Sequence, residues 1–560
     1  MELSPCRLKE CKSFTGSCML CFYILVFALS SCSNDQKAPI FNDVTEKSGI
    51  LFNYNYGSEN PVNLLMTVGG GGAFFDYDND GLLDALIING TDFNKDSSKS
   101  ELVVEATHHA LFRNKGDGSF ENVTVAAGLN KSSYGQGCAV GDFDGDGFND
   151  LYITNYGSNQ LYRNLGNGAF ENVTERSGTG HPAWGTGAVF FDADGDNDLD
   201  LYVANYVKLL PGMPPWGERK YRGPRFYDPS DDVLYRNDGD GIFTDITAEA
   251  GLVPGGKGLT VMAADFDNDG DQELFIANDR TPNFFYQNNN GHFEEKGWES
   301  GVAFDPNGVE TAGMGVDITD VDGDGREDIH LTNFRMEANN LYQNQGDLVF
   351  KDMTAAMHID KATWIRTGWA TRFADLNNDG YLDCFVANGG IWEQPPNNKN
   401  AIAYEEKNTI YLGAQEGGFT DVSEMCGADF IAPRVSRGAA FGDYDNDGDL
   451  DILVINTRAG DTPQLLRNDT PVNDRWIKIK VTGKTPNTNA IGAKVKAKIG
   501  DRLYYTEVRF SSTYLGASDH TIHIGLRPGE QEVNVEVQWP SGLTTTKQGM
   551  AGKTLAIAEE

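Results

Sequence analysis

The apolar positions of this chain fall in short runs, with none of the three-to-four spacing of helical stripes. Stretches of about five residues rich in aromatic and β-branched side chains, such as 151–155 (LYITN) and 201–205 (LYVAN), predict strands bounded by polar turns. Two further phrases recur with them. An LYRN-like phrase stands at 111–114, 161–164, 234–237, 285–288, 341–344, 410–413 and 465–468. An FxDVT-like phrase stands at 41–45, 120–124, 170–174, 243–247, 293–297 (weakly), 350–354 and 419–423. Gly-rich turns such as 115–118 join the two phrases, and a small-residue run such as 135–140 precedes each unit.

One unit therefore predicts four antiparallel strands, and seven units predict an all-β chain built as a seven-bladed β-propeller over residues 40–468. The phase adds a closure. The first FxDVT phrase is isolated at the N-terminal end and the last unit lacks one, so the N-terminal strand is expected to complete the seventh blade and leave no open edge.

Between the first and second strand of every unit lies a nine-residue acidic loop. Its positions 1, 3, 5 and 9 are Asp76, Asp78, Asp80 and Asp84 in loop 1; Asp142, Asp144, Asp146 and Asp150 in loop 2; and Asp192, Asp194, Asp196 and Asp200 in loop 3. They are Asp265, Asp267, Asp269 and Glu273 in loop 4; Asp320, Asp322, Asp324 and Asp328 in loop 5; Asp375, Asn377, Asp379 and Asp383 in loop 6; and Asp443, Asp445, Asp447 and Asp451 in loop 7. Oxygen ligands at this spacing around a flexible sixth residue suit calcium, up to seven ions. An EF-hand would need a Glu at position 12, where this chain has Ile87, Ile153, Val203, Ile276, Leu331, Val386 and Val454. Asn377 removes a charge and weakens the sixth site; Asn197, at position 6 of loop 3, can take the left-handed turn that Gly takes elsewhere.

The net charge of −37 is unevenly placed: residues 1–32 carry +1 and 475–560 carry +4, so 33–474 carry −42. That balance argues against nucleic-acid binding. Arg7, Lys9 and Lys12 precede an apolar stretch at 19–29 and then Leu29-Ser30-Ser31-Cys32, which reads as a secretory signal over 1–31 with a short apolar region. The sequence before Cys32 resembles a bacterial lipobox, which implies lipidation of Cys32, a tether at 32–39, and anchoring to the outer membrane or cell surface. Of the eight cysteines, Cys138, Cys384 and Cys426 then remain unmodified, too few for a disulfide framework.

The acidic loops resemble the calcium-binding FG-GAP/VCBS repeats of integrin α-subunit propellers and of secreted bacterial proteins. The tail at 475–560 resembles the ASPIC/UnbV domain that follows such repeats in cartilage acidic protein-like chains, through 476–480 (WIKIK), 490–493 (AIGA), 509–515 (RFSSTYL), 523–526 (HIGL) and 537–542 (VQWPSG).

Strand alternation puts all seven acidic loops on one face and the long insertions on the other. There Trp184, Trp216, Arg222, Tyr227, Trp364, Arg366, Trp392 and Arg434 form the candidate equipment for a glycan or protein ligand in adhesion or surface glycan handling. The resemblance to integrins implies the same face. A polysaccharide lyase is the enzymatic alternative, with a base from His108, His109 or His181 beside Arg366 or Arg222, although no HExxH or GxSxG motif is present. An architectural subunit of a surface complex is the third reading. Arg509, Asp519, His520 and His523 read as ordinary hydrogen-bonding groups of the tail domain.

Overall fold

A computed structural model of the protein describes residues 37–57, 64–91, 108–131, 133–209, 223–392, 403–415, 417–471 and 475–560. Cys32, Trp216 and Arg222 lie outside them. Residues Ala38–Glu560 form one unit, and no helix among the described residues is long and apolar enough to cross a membrane.

Seven antiparallel sheets hold four strands each along residues 41–468. Blade 1 carries Gly72–Phe75, Asp84–Ile87, Ala110–Asn114 and Phe120–Asn122. Blade 7 carries Ser436–Gly442, Asp451–Asn456 and Gln464–Asn468, with Phe41–Asp43 as its fourth strand, paired Phe41 to Asn468 and Asp43 to Leu466. The innermost strand of each blade packs on that of the next, and the innermost strand of blade 7 packs on that of blade 1, so the contacts run in a closed cycle.

The recurring phrases are the bonds that hold this cycle. The Asn that ends each LYRN-like phrase donates its side-chain amide twice. Asn164 Nδ2 reaches the Asn149 carbonyl of its own acidic loop at 3.0 Å and the Tyr77 carbonyl in the loop of blade 1 at 2.8 Å. The equivalent bonds link blade 3 to 2 through Asn237, 4 to 3 through Asn288, 5 to 4 through Asn344 and 7 to 6 through Asn468, and Asn114 to the Tyr444 carbonyl closes blade 1 onto blade 7. Blade 6 has Gly413 at this place and lacks the link. In the FxDVT phrase the Thr hydroxyl accepts the N–H of the third strand's second residue, as from Leu161 to Thr174 at 2.9 Å; at the closure Leu465 bonds Thr45. Each such bond contributes about 1 kcal/mol, and leaving its buried partner unpaired costs more.

The tail domain sandwiches a four-stranded sheet (Arg502–Glu507, Lys494–Ile499, Glu532–Gln538, Thr544–Met550) against a three-stranded one (Ile522–Gly525, Trp476–Thr482, Lys553–Ala558). Alternation builds its core: Val495, Ala497 and Ile499 point inward with Ile477, Val535 and Trp539, while Lys496 and Lys498 are exposed. Between its sheets the segment 509–519 leaves the domain and enters the centre of the cycle. Ala517 pairs with Ala73 of blade 1, Cys138 of blade 2 donates its N–H to the Leu515 carbonyl, Thr513 pairs with Val316 of blade 5, and the Thr513 hydroxyl donates to the Ala439 carbonyl of blade 7. Tyr514 and Leu515 are buried, the Tyr514 ring lying 5.0 Å edge-on from Trp369 of blade 6. The inner strands make room by lacking side chains: a Cβ on Gly71 would lie 2.1 Å from the Leu515 carbonyl oxygen.

Candidate metal centres and the seam that covers them

Each acidic loop is closed by bonds from its own backbone. The first carboxylate accepts from position 6 in all seven loops and from position 5 in loops 1, 2, 5, 6 and 7: in loop 2, Asp146 N to Asp142 Oδ1 at 3.1 Å and Gly147 N to Asp142 Oδ2 at 2.8 Å. The fifth accepts from position 7 in all seven loops. The ninth is buried and uses both oxygens, one on the N–H of position 2 and one on the third strand, as when Asp150 accepts from Phe143 at 3.0 Å and from Asn164 at 2.7 Å. Position 6 has positive φ throughout, with Asn197 at +69° in place of Gly. Position 4 does the same, from Asn378 at +53° to Gly195 at +79°, and is always Asn or Gly. That regularity was readable in the sequence and had no role in the reading above.

The result is a cluster of carboxylates that the protein itself neutralises only in part. Asp76, Asp78 and Asp84 bring oxygens within 4.8 Å of one another, as do Asp142, Asp144 and Asp146; Asp192, Asp194 and Asp196; Asp265, Asp267 and Asp269; and Asp320, Asp322 and Asp328. Burial pushes the ninth position far above the usual carboxylate range: Asp84, Asp200 and Asp328 to about 8, Glu273 to about 9. At the third position of loops 1, 2, 3 and 7 one oxygen, Oδ1 of Asp78, Asp144, Asp194 and Asp445, is buried with no hydrogen-bond donor; in loop 4 it is Oδ1 of Asp265. A buried carboxylate oxygen without a donor is costly, and its recurrence at one place in four loops suits a cation held in the loop. Arg113 and Arg163 bridge positions 3 and 5 from outside in loops 1 and 2, leaving the inner oxygens for that ion. The donor set is all oxygen, which fits a hard divalent cation.

The face that carries the acidic loops is not bare. The tail domain sits on it, which corrects the expectation that its polar residues serve only its own fold. Lys478 Nζ lies 2.7 Å from Asp443 Oδ2, Lys494 pairs with Asp265 Oδ2, and the Thr488 hydroxyl donates to Asp142 Oδ2, so three loops have their first carboxylate held from the tail. Arg509 pairs with Glu327 of loop 5 at 2.6 Å and with the Ile318 carbonyl at 2.7 Å, and His523 Nε2 meets the Gly448 carbonyl of loop 7 at 2.9 Å. A cavity of about 520 Å³ remains at this seam, lined by groups including Arg372, Lys480, Tyr504 and His520. The signal was present in the charges: a tail of +4, with lysines alternating through IKIK and KVKAK, follows a body of −42.

An FG-GAP-like repeat model matches residues 76–153, 142–203, 226–276, 265–331, 320–386 and 401–454. The chain belongs to the FG-GAP-like repeat family. An ASPIC and UnbV model matches 483–560, so the tail of this FG-GAP-like chain is an ASPIC/UnbV domain. Cartilage acidic protein 1 from Homo sapiens is 27% identical over 333 residues, 56% of this chain and 46% of that protein; the Xenopus tropicalis protein is 26% identical over 331 residues, 57% and 47%. The chain thus matches about half the length of these relatives. Among solved structures, an Agrocybe aegerita lectin that recognises non-reducing terminal N-acetylglucosamine is similar at 15% identity, with a TM-score of 0.38, over 72% of this chain and 86% of that one.

On the face opposite the acidic loops of the FG-GAP-like cycle, the predicted ligand groups separate. Trp184 is only 3% exposed, donates to Gln136 Oε1 at 3.1 Å and stacks edge-on to Tyr206 and Tyr156, so it is core and not a ligand platform. Arg366 is engaged by Thr409 at 2.6 Å and faces Asp421. Tyr227, Trp392 and Arg434 are partly buried. Among the proposed lyase bases, His109 is a satisfied core histidine, with Nδ1 accepting from Asn89 N at 3.2 Å and Nε2 at 3.0 Å from the Ser133 hydroxyl; burial lowers its pKa to about 4. His181 is half-buried and lowered by burial. Trp364 is 51% exposed, next to Ile365 at 61%. The structure adds one residue that sequence reasoning missed: Met336, 67% exposed, whose N–H bonds the Trp364 carbonyl at 2.8 Å.

Proposed function

We propose that this chain is an exported, lipid-anchored, calcium-binding propeller that docks a partner protein at the cell surface on the face opposite its metal loops. Calcium is structural in this reading: Asp and Glu side chains at positions 1, 3, 5 and 9 would hold it, and it would supply the positive charge their crowded oxygens need. The basic and apolar leader before Cys32 supports export.

The observation that carries the docking site is the patch of Met336, Trp364 and Ile365. Met336 holds a φ of +65°, a conformation unfavourable for a long apolar side chain, and its side chain is exposed to water where its backbone bonds that of Trp364, itself exposed together with Ile365. Neighbouring large apolar side chains left exposed on a rigid scaffold mark an interaction surface. Three apolar side chains, only one of them a flat ring, favour a protein over a glycan. A photoreactive residue at position 365 should crosslink a protein from the producing cell's own surface, and Met336→Ser with Trp364→Ser should cut the yield at least roughly tenfold. Capture of glycan alone, or a yield the double variant leaves unchanged, overturns the reading.

A further inference from the structure

The seven acidic loops are not equivalent, and the tail domain makes them less so. Loops 3, 4 and 7 carry a fifth carboxylate at position 7, Asp198, Asp271 and Asp449. Of these three, loops 4 and 7 are the ones whose first carboxylate receives a lysine from the tail. Lys494 and Lys478 are both well buried against their partners, and Lys478 also reaches Asn446 Oδ1 at 3.1 Å. Each lysine takes Oδ2, the oxygen already bonded by the position-6 N–H. In loop 4 this leaves Oδ1 of Asp265, a residue only 2% exposed, without a donor. In loop 2 the same place is taken by the neutral Thr488 hydroxyl.

We propose that Lys478 and Lys494 are built-in counter-ions that make loops 4 and 7 weak, exchangeable calcium sites. The inference rests on the calcium reading above. A calcium ion in either loop must share one carboxylate with an ammonium group on the adjacent oxygen, in a buried place where like charges are poorly screened. The extra Asp offsets one charge, and the lysine restores it. Without metal the lysine is the loop's cation; with metal it opposes it. By reciprocity, filling loops 4 and 7 loosens the lysine contacts that help hold the tail on the cycle, so the docking of that domain senses calcium over the range where these two loops fill.

Calcium titration of the full chain by calorimetry should then resolve two classes of site, a tighter class and a weaker class that contains loops 4 and 7. Lys478→Gln with Lys494→Gln removes the charge and keeps a hydrogen-bond donor; Lys478→Met with Lys494→Met removes both. Either pair should tighten the weak class by roughly tenfold or more, with the tight class unmoved. If the Met pair weakens those sites while the Gln pair leaves them unchanged, the lysines orient the carboxylate and do not compete with the ion, which overturns the proposal. Unchanged affinities in both pairs overturn it as well. Absence of any calcium heat in the unmodified chain defeats the calcium reading itself and is distinguished by that control. Because a variant lacking its buried lysine can unfold without metal, each is titrated after circular dichroism has established its strand content.

Discussion

Removing calcium with a chelator should lower the thermal midpoint of this protein by roughly 10 °C or more. The expectation follows from linkage. An ion that binds only the folded chain, at a concentration about 100 times its dissociation constant, stabilises it by about 2.7 kcal/mol per site. Four such sites give about 11 kcal/mol, which is within the range of a whole protein's stability. The cations the chain supplies leave much of the loops' charge unsettled: in four loops the third carboxylate keeps an oxygen buried without a donor, and the ninth is held near-fully buried in every loop. Differential scanning calorimetry with calcium and with excess chelator measures the shift. A midpoint that does not move would show that the loops fold on their own hydrogen bonds, and the calcium reading would fall. A single substitution gives a second reading of the same physics. Asp150→Ala leaves the N–H groups of Phe143 and Asn164 buried and unpaired, at about 1 to 3 kcal/mol each, and removes a candidate ligand; its penalty should therefore be larger in calcium than in chelator.

Much of this architecture was legible because the repeat writes it out locally. Strand, turn and acidic loop all depend on neighbours within about ten residues, and the alternation of connections assigns each loop to a face without any long-range knowledge. Asn197 could be read as a stand-in for Gly because the constraint is its own φ. The Asn of the LYRN phrase was visible seven units long, with Gly413 as its exception, yet its partner sits in the preceding blade's loop, so its purpose appears only once the blades are side by side. Trp184 illustrates the converse limit. A connection can be assigned to a face from topology, but whether its aromatic ring turns to solvent or to the axis depends on Tyr156 and Tyr206, which follow the second strands of blades 2 and 3. The segment 509–519 was the least readable. Ser511, Ser512, Thr513 and Ser518 have the composition of an exposed loop, and they are buried only because several inner strands, distant in sequence, offer their edges and carbonyls at one place.

That segment is where the other large effect is expected. Tyr514→Ala should destabilise the protein by about 3 to 5 kcal/mol, the usual cost of emptying a large aromatic site in a core. Tyr514 is fully buried, lies against Trp369, and sits beside Arg437, whose guanidinium stacks 3.9 Å from the Trp369 ring and donates to the carbonyls of Thr67, Gly389 and Gly390. Arg437 has no carboxylate within its bonds, so its charge is held by ring faces and carbonyl dipoles that the void would unseat. A core-filling ring in an ordinary blade would affect that blade and its neighbours. Here the loss reaches further, because the neighbours of Tyr514 in the chain pair with blade 1 through Ala517, blade 2 through Leu515 and blade 5 through Thr513. The variant should therefore lose hydrogen-exchange protection in the inner strands of those three blades together, and in the tail strands that carry Lys478 and Lys494, before protection falls in the outer strands. A penalty below about 1 kcal/mol, or a loss of protection confined to blade 6, would mean that the segment merely occupies the centre of the cycle and does not tie the blades to one another.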